Sequence, residues 1–160
     1  MARRSFAHVK DQFTGSDGIV VDNAIGFWIH RVYQASRNEL FRVFREQGED
    51  VTPEQWAVLI RLWEQDARTQ SELSDATFRD RPTMSRILDG METRGLIQRE
   101  VDARDARIRI VRLTRRGRAL QAKLVPVARA LVERMVSGID EAALRTTRAS
   151  LQRMFDNLIA

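Results

Sequence analysis

The chain has 160 residues, 43% of them hydrophobic and 31% charged, a balance that suits one globular domain with helical extensions and excludes a disordered chain. With no cysteine it has no disulfide framework, thiolate metal site or thiol redox switch, and no apolar run nears the ~20 residues that span a bilayer. The net charge is +5, and no apolar stretch follows Arg3 and Arg4 to make a secretory signal, so a cytoplasmic protein with no membrane partner is expected.

Residues 5–20 read as an irregular or partly helical arm. From Asp22 to about Glu46, Ile25, Trp28, Ile29, Val32, Leu40, Phe41 and Phe44 recur at the spacing of one helix stripe. Phe27 and Tyr33 widen that stripe, so this helix is expected to meet more than one neighbour. Gln47 to Asp50 break the pattern. Thr52 then reads as an N-cap with Pro53 in the first helical position and Gln55 closing a capping box. The second helix is expected to bury Trp56, Leu59, Leu62 and Trp63. A third, short helix starts at the capping box Thr69–Glu72 and turns Leu73 and Ala76 inward. Asp80 caps a fourth, whose core face is Met84, Ile87, Leu88 and Met91 and which Gly95 stops.

Helical spacing ends there. Leu96–Val101 and Ile108–Leu113 are β-rich runs, and the residues between them, Asp102 to Arg107, make a hairpin tip. Thr114 caps a long helix to about Ser137, with a kink expected at Pro126. A last helix runs from Asp140, with Leu144, Leu151, Phe155 and Leu158 near heptad spacing. The fold class is therefore mainly α with a small β-hairpin: a winged helix-turn-helix flanked by long dimerisation helices. The organisation expected is an arm and first dimerisation helix over 1–50, a DNA-binding lobe over 51–113 and C-terminal dimerisation helices over 114–160. An apolar helix of this length at each end needs a partner to cover it.

Charge placement narrows the function. Twelve arginines and six acids lie between Arg79 and Arg118, whereas the rest of the chain carries one more acid than base. Base composition of the genome would explain why 25 of the 27 bases are arginine, but not why they cluster. Clustered positive charge is the footprint of a polyanion such as double-stranded DNA. On the fourth helix, a 100° step sets Pro82, Arg86, Asp89 and Gly90 opposite the core face, with Thr83 and Ser85 on the flanks. Small and hydroxyl side chains around one arginine suit a helix that enters the major groove, where Arg86 pairs with guanine. By itself this is equally a solvated helix face; its place in a helix-turn-helix favours DNA. Gln70 and Ser71, opening the third helix, join the same surface.

Arg99, Arg104, Arg107, Arg109 and Arg112 crowd the hairpin, whose tip would reach a minor groove. Asp105 is expected to hold the Arg107 guanidinium through a charge-assisted pair. The competing reading is a plain basic hairpin, and its strand faces are ambiguous because Ile108 and Ile110 point opposite to Val111 and Leu113.

Five motifs together carry a family resemblance: Thr69–Leu73, Arg81–Asp89, Glu92–Ile97, Asp102–Arg107 and Leu113–Leu120. The chain resembles the MarR (multiple antibiotic resistance regulator) family over roughly Thr52 to Leu120. The resemblance implies a homodimer built from the first and last two helices, including Leu144, Leu151, Phe155 and Leu158, set on a pseudo-palindromic site. It implies that Arg104, Asp105 and Arg107 form the wing tip, and that the protein represses transcription until a small aromatic or anionic effector binds. One departure lies in the wing, where Ala106-Arg107 follows Asp105 and the family commonly has two arginines. The implied effector site falls on the first two helices, where Trp28, His30, Arg31, Tyr33 and Trp56 offer aromatic walls and a cation. Those aromatics equally suit a core. With no nucleophile–base set, phosphate-binding glycine loop or metal-ligand cluster in the sequence, an enzyme is not expected, nor a cofactor or metal. A winged helix reused as a protein-interaction module is the rival reading.

Overall fold

The computed structural model describes residues 24–160, so the arm expected over residues 5–20 lies outside the described residues. They fall into two units that divide after Pro53. The first holds helix α1 (Ile25–Glu46), which no side chain caps at its start and which gives way to Gly48 at φ 75°. Arg42 pairs along its surface with Glu39 at 2.7 Å and with Glu46. Its apolar stripe is largely open: Ile25, Trp28, Ile29, Val32 and Tyr33 are exposed, and Phe44 is its one buried residue.

The second unit begins within α2 (Pro53–Glu64), where Pro53 supplies the fixed φ of a helix start. Its buried stripe is Gln55, Val58, Leu59 and Leu62. Trp56 and Trp63, expected to be buried, stand half-exposed at its margin, edge-to-face at 5.4 Å. An indole N–H wants a partner, and that of Trp63 donates to the Gly117 carbonyl at 3.0 Å, which holds the ring at the edge of the core.

Strand β1 (Arg68–Thr69) leads into α3 (Gln70–Thr77) and α4 (Arg81–Thr93); β2 (Ile97–Val101) and β3 (Arg109–Leu113) form the hairpin. The sheet has three antiparallel strands in the order β1-β3-β2, one more than the expected ribbon. At two residues β1 carries no period to read; it pairs Arg68 with Val111 and Thr69 with Ile110. The β2–β3 register runs from Ile97 opposite Leu113 to Val101 opposite Arg109. Val111 and Leu113 face the core, Ile110 is half-buried and Ile108 is exposed, which settles the strand faces.

Two caps follow the expected chemistry. The Thr69 hydroxyl accepts the Glu72 N–H while the Glu72 carboxylate accepts the Thr69 N–H, and Asp80 accepts from the Thr83 N–H. Met84, Leu88 and Met91 of α4 are fully buried and Ile87 only half so. Gly90, expected on the outer face, turns inward: a β-carbon there would stand 3.3 Å from the Gln55 amide nitrogen. Gln55 is buried, and its amide oxygen accepts from Arg94, so α4 is held to α2 by polar as well as apolar contact.

Helix α5 (Arg115–Met135) contains Pro126, and α6 (Glu141–Ile159), capped by Asp140, has no buried residue. The start of α5 sits against the hairpin. The Thr114 hydroxyl donates to the Gly95 carbonyl at 2.6 Å and accepts the Gly117 N–H at 3.0 Å. A β-carbon on Gly117 would lie 2.0 Å from the Leu96 carbonyl oxygen, an approach only glycine permits. Gly117→Ala is therefore expected to cost about 1–3 kcal/mol or more through forced displacement. Urea denaturation would read this as a lower midpoint at unchanged slope; a midpoint like that of the parent chain would show that the approach is not tight.

Candidate nucleic-acid interface

The first turn of α4 presents Pro82 and Arg86 to solvent, with Thr83 and Ser85 half-buried beside them. Both Asp80 carboxylate oxygens are engaged there, one by the Thr83 N–H at 2.7 Å and the other by its hydroxyl at 2.9 Å. These bonds hold the Asp80 carboxyl below its usual range, so the cap stays charged. They also fix Thr83, leaving its oxygen rather than its proton to face a partner. Glu72 is likewise held low by the N–H and hydroxyl of Thr69.

The hairpin tip is built by two aspartates acting on backbone. One Asp102 oxygen accepts the N–H groups of Arg104 at 2.8 Å and Asp105 at 3.0 Å. Asp105 accepts the backbone N–H of Arg107 at 2.9 Å. The expected Asp105–Arg107 ion pair is not made. Two residues apart in a tight turn, a short aspartate reaches the amide easily, whereas folding back a long guanidinium would cost side-chain entropy. Asp105 shapes the turn, and the Arg107 side chain is left without a carboxylate.

The twelve clustered arginines divide into two sets. Five are engaged within the fold. Arg99 meets Glu92 at 2.5 Å and Asp89 at 2.7 Å, Arg112 meets Glu100 at 3.0 Å and Arg118 meets Asp66 at 2.8 Å. Arg94 donates to Gln55 and Arg116 to the Arg94 carbonyl. Arg79, Arg81, Arg86, Arg104, Arg107, Arg109 and Arg115 are in no ion pair among the described residues. Arg99 and Arg112, counted as hairpin cations from the sequence, are thus neutralised at the surface.

A cleft of about 390 Å³ is lined by Thr69, Gln70, Ser71, Arg81, Arg107, Ile108 and Arg109. It brings the start of α3, the start of α4 and the wing around one space. The sequence points to Gln70, Ser71 and Arg107 at such a surface and to Arg109 as one of the hairpin arginines; Arg81 is an addition. Its signal lay in the sequence, at the first residue of α4, but only the sheet register brings it together with Arg109, the first of β3. Arg104 and Asp105 stand exposed at the tip, outside the cleft.

The residues expected to hold an effector belong to separate units. On α1, Trp28, His30, Arg31 and Tyr33 are exposed, and the Arg31 guanidinium lies over the rings of Trp28 at 5.2 Å and Phe27 at 5.5 Å. Trp56 is on α2, edge-on to Trp63. The expected interface residues lie on α6: Leu144 and Phe155 are half-buried, Leu151 and Leu158 exposed. Among the described residues no helix is long and apolar enough to cross a membrane.

A capped two-helix turn, a helix with a small-residue leading turn and a wing of open arginines define a DNA-binding transcription regulator of the winged helix-turn-helix class. Comparison with known proteins agrees. Residues 49–108 match the MarR family model. The Escherichia coli O157:H7 transcriptional regulator HosA is 32% identical over 110 residues, 69% of this chain and 76% of its own. The transcriptional repressor NicR of Pseudomonas putida is 28% identical over 139 residues, covering 86% of this chain and 85% of NicR. The structure of Bordetella bronchiseptica BpsR, a protein whose DNA binding is regulated by 6-hydroxynicotinic acid, superposes with a TM-score of 0.77 at 26% identity. That likeness covers 85% of this chain and 96% of BpsR. The chain belongs to the MarR family, and it is a transcription regulator, not an enzyme.

The arginine pairs set an acid limit on the wing. Hydrogen bonds from the Arg99 side chain hold the Glu92 carboxyl below its ordinary 4.5. A depressed carboxyl contributes stability above 4.5 that is lost as pH falls through its folded value. Glu92→Gln is expected to lower the thermal midpoint at neutral pH and to flatten its decline as pH falls below 4.5. An acid decline as steep as in the unmodified protein would remove Glu92 from the account.

Proposed function

We propose that this regulator is a cytoplasmic, effector-responsive repressor that binds a pseudo-palindromic operator as a homodimer. The observation that carries the reading is the division of the arginines: those left unpaired include Arg86 on α4, Arg104 and Arg107 on the wing, and Arg81 and Arg109 in the cleft. Residues 51–113 are the DNA-binding lobe. Arg86 reads a base edge in the major groove, with Pro82, Thr83 and Ser85 small enough to let α4 approach. Arg107, with Arg104 beside it on a tip shaped by Asp105, enters the minor groove. Gln70, Ser71, Arg81 and Arg109 hold backbone phosphates, which fix register without reading sequence.

The first helix, α1, and the C-terminal helices over residues 114–160 make the dimer. Support comes from α6, where no residue is fully buried and Leu151 and Leu158 stand exposed beside half-buried Leu144 and Phe155, and from the open apolar stripe of α1. The effector is a small aromatic acid. On α1, Trp28, His30, Arg31 and Tyr33 offer ring faces and a cation, and the regulation of BpsR by 6-hydroxynicotinic acid supplies a precedent of that chemistry. Repression has its precedent in NicR.

Genomic fragments retained by the purified protein against excess non-specific competitor test this directly. Recovery of a pseudo-palindrome with half-sites about one helical turn apart is expected. On that site Arg86→Ala should lose about 1–3 kcal/mol and relax preference at one base position. Arg81→Gln and Arg109→Gln should weaken all sequences alike and each lower the salt slope by about 1. A well-folded protein that retains no specific fragment overturns the operator reading and favours a protein-interaction module.

A further inference from the structure

The turn between α3 and α4 holds an aromatic residue that neither backbone preference nor burial accounts for. Phe78 ends α3 in the left-handed region, φ 53° and ψ 44°, which strains a bulky side chain and which glycine or asparagine adopts readily. The hydrogen bonds of the turn are backbone bonds that any residue would make: the Phe78 N–H donates to the Asp75 carbonyl and the Arg79 N–H to that of Ser74. Phe78 is 72% exposed, so the ring is not there to leave water. Its ring partner is Phe155 of α6, edge-to-face with centroids 5.1 Å apart and planes at 77°. Of all α6, only Ala143, Leu144, Met154 and Phe155 are as much as half-buried, so this pair is a principal hold of that helix on its own unit. Asp80, two residues beyond Phe78, caps α4.

We infer that Phe78 and Phe155 form a clasp through which the C-terminal helix positions the recognition helix. Phe78 is a positioning residue: it acts through the turn on the leading residues of α4, without reading DNA itself. The strained turn is held in place by a contact that exists only while α6 lies where it does. Displacement of α6 releases the ring, and the start of α4 loses one of the constraints that set its pitch. This deepens the DNA-binding reading, on which it rests for the role of α4, and gives a route by which a change among the long helices reaches the groove-reading residues.

The test uses the full-length protein with three single variants. Phe78→Asn keeps a residue suited to the left-handed turn but removes the ring, Phe155→Ala removes the partner, and Phe78→Tyr restores an aromatic. Backbone hydrogen exchange between Arg79 and Arg86 is measured without DNA, and affinity is measured for the selected operator and for non-specific duplex. Phe78→Asn is expected to keep or raise the thermal midpoint, yet to speed exchange in that stretch several-fold and weaken operator binding about tenfold, with non-specific binding unchanged. Phe155→Ala should match it in exchange and operator affinity, the double variant should go no further in either, and Phe78→Tyr should behave as the parent. A merely structural contact would lower stability and affinity together. Phe155→Ala also touches the proposed dimer face, so molecular mass is measured alongside, and Phe78→Asn, which leaves α6 intact, decides. Unchanged exchange in Phe78→Asn overturns the clasp. If the parent chain binds no specific DNA, the operator reading fails by itself, and exchange still decides the clasp.

Discussion

The larger unit hangs on the close approach of α5 to the base of the wing. At Gly117 the helix backbone meets the Leu96 carbonyl with no room for a β-carbon, and Thr114 stitches the same point by bonding Gly95 and the Gly117 N–H. Gly95 is where α4 ends, in the left-handed conformation. The Gly117 carbonyl takes the indole proton of Trp63 from α2. Four elements therefore converge on a few residues, and the spacing between the reading helix and the wing is set by hard contact. Leu96, Ile97, Val111 and Leu113 then close the core beneath, each worth roughly 1.5–3 kcal/mol by burial.

Onto that frame the carboxylates sort the arginines. Exposed pairs such as Arg112–Glu100 and Arg118–Asp66 contribute little to stability, since solvent screens them. Their larger effect is to decide which guanidinium groups remain for a partner. The cluster's excess charge is thus a poor guide to the field a duplex would meet, because the paired arginines lie beside the acids that offset them. What remains is concentrated at the start of α4, the wing and the cleft between them. Such focusing raises encounter rates with a polyanion beyond what a modest net charge implies.

Much of this was legible in the sequence because it is local. Thr69, Asp80, Thr114 and Asp140 cap helices where their side chains reach an N–H three residues on, so sequence spacing alone predicts them. The hairpin register follows from period-two runs around a polar tip. What escaped depends on distant partners or on choices between near-equal local bonds. The strand β1 is too short to show a period, Gly90 turns inward because Gln55 lies opposite, and the tryptophans of α2 yield the core to Val58. Asp105 had two plausible partners on Arg107 and took the nearer. Phe78 carried no signal at all, since nothing in its neighbours predicts a left-handed phenylalanine.

The two aspartates of the wing tip bear on how such a surface can change. By charge alone, replacing either with a neutral residue ought to tighten the hold on a polyanion. Their oxygens, however, accept the amides of Arg104, Asp105 and Arg107 and so keep the loop in one shape before it meets anything. Without them the arginines would ride on a backbone sampling many conformations, and that freedom would have to be surrendered at each encounter. Asparagine, neutral yet still able to accept those amides, with serine or threonine as weaker substitutes, offers a route to more positive charge that keeps the shape, so the choice among substitutions at these two positions is narrow for reasons of preorganisation.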